Sequence, residues 1–124
     1  MRLMSFLLTT QQVRDQDKTV TRRLGSRDIK VGDMRQPIVK GQGLKKGEHV
    51  ERIGGPIRVV AVRREQLRRM LVDREYGQAE CVKEGFENLT PEQFVAMFCQ
   101  HNGCRRTTFV TRIEFEYLEA RSGR

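Results

Sequence analysis

The segment Lys18-Thr19-Val20-Thr21-Arg22-Arg23 sets one amine, two hydroxyls and two guanidinium groups in six positions, with only Val20 to spend on a core. Guanidinium forks bind phosphate through paired N–H bonds, and hydroxyls complete its shell of contacts. A segment written this way suits an anionic or polar ligand, and Lys18, Thr19, Thr21, Arg22 and Arg23 are the candidate nucleic-acid contacts. Read as a strand, it turns alternate side chains to opposite faces. Thr21 and Arg23 then share a face and Arg22 takes the other, so Arg23 is expected to touch a phosphate or base edge beside Thr21. Lys18, three residues before Thr21, reaches that face only from a turn that enters the strand.

A second constellation could hold a metal. Cys81 with Cys99-Gln-His101-Asn-Gly-Cys104 offers three thiols and an imidazole, the donor types of a Cys₃His zinc site. The spacing is not that of a paired zinc knuckle, and Cys81 must come from another element. Unpaired cysteines are also among the most buried residue types, so packing is the favoured reading and zinc the lesser one. An odd number of cysteines without a secretory signal speaks against a disulfide framework and for a reducing cytoplasm. Met1 to Leu8 is too short for a signal-peptide core and is followed by no small-residue cleavage site. No apolar run approaches the roughly 20 residues of a membrane span, so no membrane partner is expected. Gly41-x-Gly43-x-x-x-Gly47 misses the dinucleotide fingerprint, and no P-loop or Ser-His-Asp order occurs.

The net charge of +8 points to an anionic partner such as RNA. Arginine supplies most of it, 18 against 6 lysines, which favours phosphate forks and base stacking, although GC-rich codon usage also inflates arginine.

The elements that must position these groups can be read from pattern. Residues 3–9 read as a strand, 11–16 as a helical turn and 18–23 as a second strand. Residues 34–39 read as an edge strand because of Pro37, and the glycine-rich 41–55 as a loop. Ile57 to Val62 reads as a buried strand. Residues 64–72 read as a helix with Leu67, Met70 and Leu71 on its apolar stripe and Arg64, Arg68 and Arg69 opposite. Thr90-Pro91-Glu92-Gln93 is a capping box with proline at the first helical position. Leu89 and Phe94 form the staple across it, Phe94, Met97 and Phe98 face the core, and Gly103 ends the helix. From Thr107 to Leu118, Phe109, Thr111, Ile113, Phe115 and Tyr117 alternate inward against Arg112, Glu114 and Glu116. The pattern predicts one α+β domain over 1–118, mostly antiparallel, with a disordered tail at 119–124.

Lys18-Thr19-Val20-Thr21-Arg22-Arg23, Gly32-Asp33 and Glu84-Gly85-Phe86, in that order, resemble the ASCH (activating signal cointegrator homology) family across nearly the whole chain. The resemblance implies a PUA-like β-pseudobarrel with helices packed around it, and an RNA or nucleoside ligand held in a cleft. In one branch, amidohydrolases acting on N-acetylcytidine, it implies a catalytic set of Lys18, Thr21 and Glu84, with Glu87 as the competing alignment for the glutamate. A threonine hydroxyl needs an adjacent base to act as a nucleophile, and a lysine can be that base once desolvation lowers its pKa. Binding of RNA or a nucleoside is the leading expectation; amide hydrolysis on an acylated nucleoside or RNA cleavage by the same residues is the first rival, and a protein-binding adaptor built on the arginine-rich helix the second.

Overall fold

A computed structural model describes residues 1–121; the last three residues of the 119–124 tail, expected to be disordered, lie outside the described residues. The fold is α+β. Five strands form one mixed sheet, β1 (Leu3–Ser5), β2 (Val20–Arg23), β3 (Met34–Ile38), β4 (Ile57–Gln66) and β5 (Phe109–Tyr117), ordered β1-β3-β4-β5-β2. Only the β1–β3 pairing is parallel. The sheet is open, with β1 and β2 as its two edges. One side chain nevertheless spans those edges, since Arg23 Nη2 on β2 donates to the Ser5 carbonyl on β1 at 2.6 Å.

Among the described residues there are four α-helices: α1 (Thr10–Arg14), α2 (Arg69–Val72), α3 (Arg74–Lys83) and α4 (Pro91–Asn102). The α4 capping box forms as its sequence dictates. Thr90 Oγ1 accepts from Gln93 N–H, Gln93 Oε1 accepts from Thr90 N–H, and Gly103 stops the helix in the left-handed region at φ 64°. α3 carries no apolar stripe, because its buried positions are Gly77, Glu80 and Cys81. It starts at Asp73, whose side chain accepts from Tyr76 N–H, and it packs tightly on α2. A Cβ at Gly77 would lie 2.0 Å from the Met70 carbonyl oxygen, so no larger residue fits there without moving backbone.

Several expected boundaries shift. The first strand ends at Ser5, and Leu7–Thr9 form a 3-10 turn. β3 is not an edge strand, since β1 and β4 flank it. Pro37 fits there because the neighbouring segment pairs through Ile53 N–H to Pro37 O and Val39 N–H to Glu51 O, which asks no N–H of residue 37. The helix expected from residue 64 begins only at Arg69: Arg64, Glu65 and Gln66 continue β4 opposite Thr111, Val110 and Phe109. On β5 the inward and outward sets change places at two positions. Phe109 is 53% exposed, whereas Arg112 is buried on the carboxylate of Glu80.

Two apolar cores result. One gathers Met4, Phe6, Val13, Ile57, Val59, Ile113 and Phe115 on the sheet. The other gathers Leu67, Met70, Cys81, Phe94, Val95, Phe98 and Val110 among α2, α3, α4 and the start of β5. A cavity lined by residues of both, Phe6 from the first and Phe94 and Phe98 from the second, lies where they meet.

Candidate functional site

Lys18 stands in the turn before β2, with its N–H directed to the Gln12 carbonyl and the next N–H, of Thr19, to the Lys83 carbonyl. That turn removes the obstacle of strand alternation, and Lys18 and Thr21 line the same cavity. Glu84 closes α3 and also lines it. The next residue, Gly85, reverses the chain at φ +92°, and a Cβ there would come within 2.8 Å of Gln12 Cγ. Glycine is thus required both for the turn and for the approach to α1. Phe86 follows with its N–H on the Cys81 carbonyl and its ring on the cavity wall.

The polar contacts are specific. Lys18 Nζ donates to Glu84 Oε1 at 2.7 Å and to the Glu84 carbonyl at 2.8 Å. The other carboxylate oxygen, Oε2, accepts from Arg22 Nη1 at 3.0 Å. Burial pushes the Lys18 amine below its ordinary pKa; the Glu84 carboxylate offsets part of that, and the charges of Arg23 and Arg22 add to it. Among the described residues the Thr21 hydroxyl has no hydrogen-bond partner, although the residue is buried. Arg23 lies over the Phe6 ring with its guanidinium carbon 5.0 Å from the centroid, and no carboxylate of the described residues pairs with it. Burial lowers its pKa as well.

Arg22 points to the other face of β2, where its side chain is 0% exposed. It meets Glu80 at 2.5 Å, Glu65 at 3.0 Å, Glu84 at 3.0 Å and the Tyr76 hydroxyl at 3.2 Å. Register sets Arg22, Arg112 and Arg63 side by side across β2, β5 and β4. Glu80 from α3 and Glu65 from β4 pair with that row, joined by Glu84 on Arg22 and Glu114 on Arg112. Arg22 and Arg112 hold Glu80 at a pKa of about 2, against the desolvation that would raise it. An external polyanion could reach Arg22 only by displacing these carboxylates. Thr19 is half-buried and does not line the cavity, and Glu87 is exposed and lines a separate depression.

The remaining wall is apolar and rich in aromatic rings: Phe6, Phe86, Phe94, Met97 and Phe98, with Leu7 and Leu8. His101 and Asn102 complete it. Sequence reading did not place them there, though the signal existed: His101 is seven residues after Phe94, and Asn102 four after Phe98, so both continue the inward stripe of α4. At about 210 Å³ the cavity is smaller than the roughly 300–1,000 Å³ typical of drug-sized sites, and it fits one small molecule.

The four metal-ligand candidates separate. Cys81 is buried in the second core, where desolvation first and Glu84 next raise its thiol to about 11. Cys104 donates its backbone N–H to the Cys99 carbonyl at 3.1 Å, both side chains pack against that core, and His101 turns to the cavity. Among the described residues no three or more His, Cys, Asp or Glu side chains gather as a metal-holding group. The arginine-rich helix face is also dispersed. Arg64 donates to Thr111 Oγ1 from β4, while Arg69 pairs with Glu65 and stacks on Tyr76. Among the described residues no helix is long and apolar enough to cross a membrane.

Compared with protein families, curated proteins and solved structures, the chain matches none at a significant level.

Proposed function

We propose that this chain is an ASCH-type protein that binds a nucleoside in the Lys18–Thr21–Glu84 cavity and hydrolyses an amide on its base, N-acetylcytidine being the type substrate. The observation that carries the reading is convergence: a turn, a strand and a helix end put Lys18, Thr21 and Glu84 on one cavity, although Lys18 and Glu84 are 66 residues apart. Aromatic walls suit a planar base, and a space of about 210 Å³ suits one nucleoside better than a continuous strand. The Arg23 bridge between the two sheet edges supports the finer assignment to a PUA-like pseudobarrel.

The chemistry follows from what each group has free. Unprotonated Lys18 takes the proton of the Thr21 hydroxyl as Oγ1 bonds to the acyl carbon. The tetrahedral adduct collapses, its carbon–nitrogen bond breaks, and the proton on Lys18 passes to the leaving amine. Water then cleaves the threonine ester with Lys18 again taking and returning the proton, which yields a carboxylic acid and the free hydroxyl. Glu84 fixes the amine through Oε1, while Arg22 fixes Glu84 through Oε2. Arg23 contributes positive charge on the Thr21 face.

The test is deacetylation of N-acetylcytidine, followed by cytidine release. Thr21→Ala should lose about 10²–10⁴-fold in rate, the contribution typical of positioned acid–base chemistry. Thr21→Ser should keep part of the activity. Release by Thr21→Ala at the wild-type rate would remove the threonine from the mechanism.

A further inference from the structure

The search beyond this cavity leads to its neighbour. A second cavity of about 230 Å³ lies in the gap between the two sheet edges, and its lining shares Ser5 and Arg23 with the first. Three arginines line it, Arg2 beside β1, Arg23 on β2 and Arg35 on β3. Asp28 is the single carboxylate in its lining, so three positive charges against one negative leave a balance of +2. Ser26 adds a hydroxyl.

These arginines are not committed elsewhere as Arg22 is. Arg23 gives one N–H to the Ser5 carbonyl and, among the described residues, has no carboxylate within ion-pair distance. Arg35 is 8% exposed, with one N–H on the Met34 carbonyl and Asp33 at a loose 3.6 Å. A guanidinium carries five donors, so most of this capacity is unspent on protein. These unspent donors are not sealed from solvent, and they stand where a dianion could be gripped by several forks together.

We propose that this second cavity is a phosphate subsite, so that the ligand of the two adjoining cavities is a nucleotide, with its base beside Thr21 and its phosphate among Arg2, Arg23 and Arg35. The inference rests on the nucleoside reading for the base. The phosphate half stands on its own residues. Arg23, in both linings, contacts the ester on one side and overlies Phe6 on the other. The phosphate can belong to a free nucleotide or to a nucleotide within RNA, and the two sources share this chemistry.

The subsite is tested first without any nucleoside. Inorganic phosphate is titrated into the full chain while the Nε–H resonances of Arg23 and Arg35 are followed by NMR. Saturable shifts of both, abolished in Arg2→Glu and strengthened in Asp28→Asn, are expected. Arg2 and Asp28 are exposed, so neither variant depends on repacking a core. Resonances that do not move, or that move equally in Arg2→Glu, overturn the subsite whatever the first cavity binds. Calorimetry then compares N-acetylcytidine, its 5′-monophosphate and a short RNA carrying the same base. Either phosphate-bearing ligand should bind about tenfold more tightly than the nucleoside, and Arg2→Glu should erase that margin while leaving nucleoside affinity unchanged. A margin confined to the RNA assigns the phosphate to a strand, and one for the monophosphate as well assigns it to a free nucleotide. Nucleoside binding with no phosphate margin overturns this inference alone. Phosphate shifts without any nucleoside binding overturn the reading of the first cavity and leave the subsite standing.

Discussion

The two faces of β2 carry the same kind of residue in opposite conditions. Arg22 on one face ends on three glutamates and a tyrosine, and its side chain is fully buried. Thr21 and Arg23 on the other face line a cavity, with a hydroxyl that has no partner and a guanidinium that has no carboxylate among the described residues. One face is committed to carboxylates, with only Arg22 Nε left without a partner; the other opens on a cavity with bonding capacity to spare. Charge density alone, which drew attention to the whole segment, does not separate them. Glu84 joins the two, with Oε2 in the buried network and Oε1 on Lys18 in the cavity.

The contrast is broken most severely by removing Arg22. Arg22→Met leaves Glu65, Glu80 and Glu84 short of a buried cation, and we predict a loss of about 3–5 kcal/mol in denaturant unfolding. A loss under about 1 kcal/mol would mean that the network is wetter than its burial implies.

Acid addresses the same network through Glu80. Its folded pKa of about 2 lies below the ordinary 4.5, so the unfolded chain binds the extra proton between those values. The stabilisation is complete above about pH 4.5 and falls away as pH drops toward 2, by about 3 kcal/mol at full protonation. Glu80→Gln should flatten that part of the stability–pH curve.

Lys18 answers in the other sense, which sharpens the comparison. Its folded pKa lies below 10.5, so between the two values the unfolded chain holds the extra proton and stability rises with pH until 10.5 is passed. The cavity would therefore be stabler with the amine neutral, the form that the proposed mechanism uses as a base. Lys18→Met should change stability by no more than about 1–2 kcal/mol, because Arg22 still compensates Glu84. The same substitution should slow deacetylation and remove the alkaline rise in stability. A loss as large as that of Arg22→Met would place Lys18 in the structural network instead.

The smallest effect is expected outside both faces. Arg68 is exposed, with its Nε on Gln66, and Arg68→Ala should leave ligand affinity unchanged. Arg23→Ala should weaken it by about 1–3 kcal/mol if the guanidinium contacts a base edge or ester. Equal losses in the two variants would move the binding surface to the helix side.

Much of this was legible in the residues. The α4 capping box, its proline and its terminal glycine announced that helix, and strand alternation separated Thr21 and Arg23 from Arg22. The turn at Lys18 followed from asking how residues three apart could share a face. What escaped was α3, because sequence periodicity is read from apolar residues and this helix buries a glycine, a glutamate and a cysteine. Tyr76, Glu80 and Glu84 recur at helical spacing, but their partners are arginines on strands far away in sequence. Arg112 was assigned outward for the same reason: a buried arginine is recognisable only when its glutamate is known. The strand over Arg64 to Gln66 escapes a pattern reading because Leu67, Met70 and Leu71 supply a helical stripe that begins just after the strand ends.

The central claim, that the unsaturated face of β2 performs the chemistry, is tested most directly by acid-quenching the protein with N-acetylcytidine and mapping acetylation by peptide mass spectrometry. The account predicts one acetyl group on Thr21 in the wild-type chain, none in Thr21→Ala, and slower accumulation in Lys18→Met. Cytidine released at the wild-type rate by Thr21→Ala, with no acetylated Thr21 in the wild type, would contradict it.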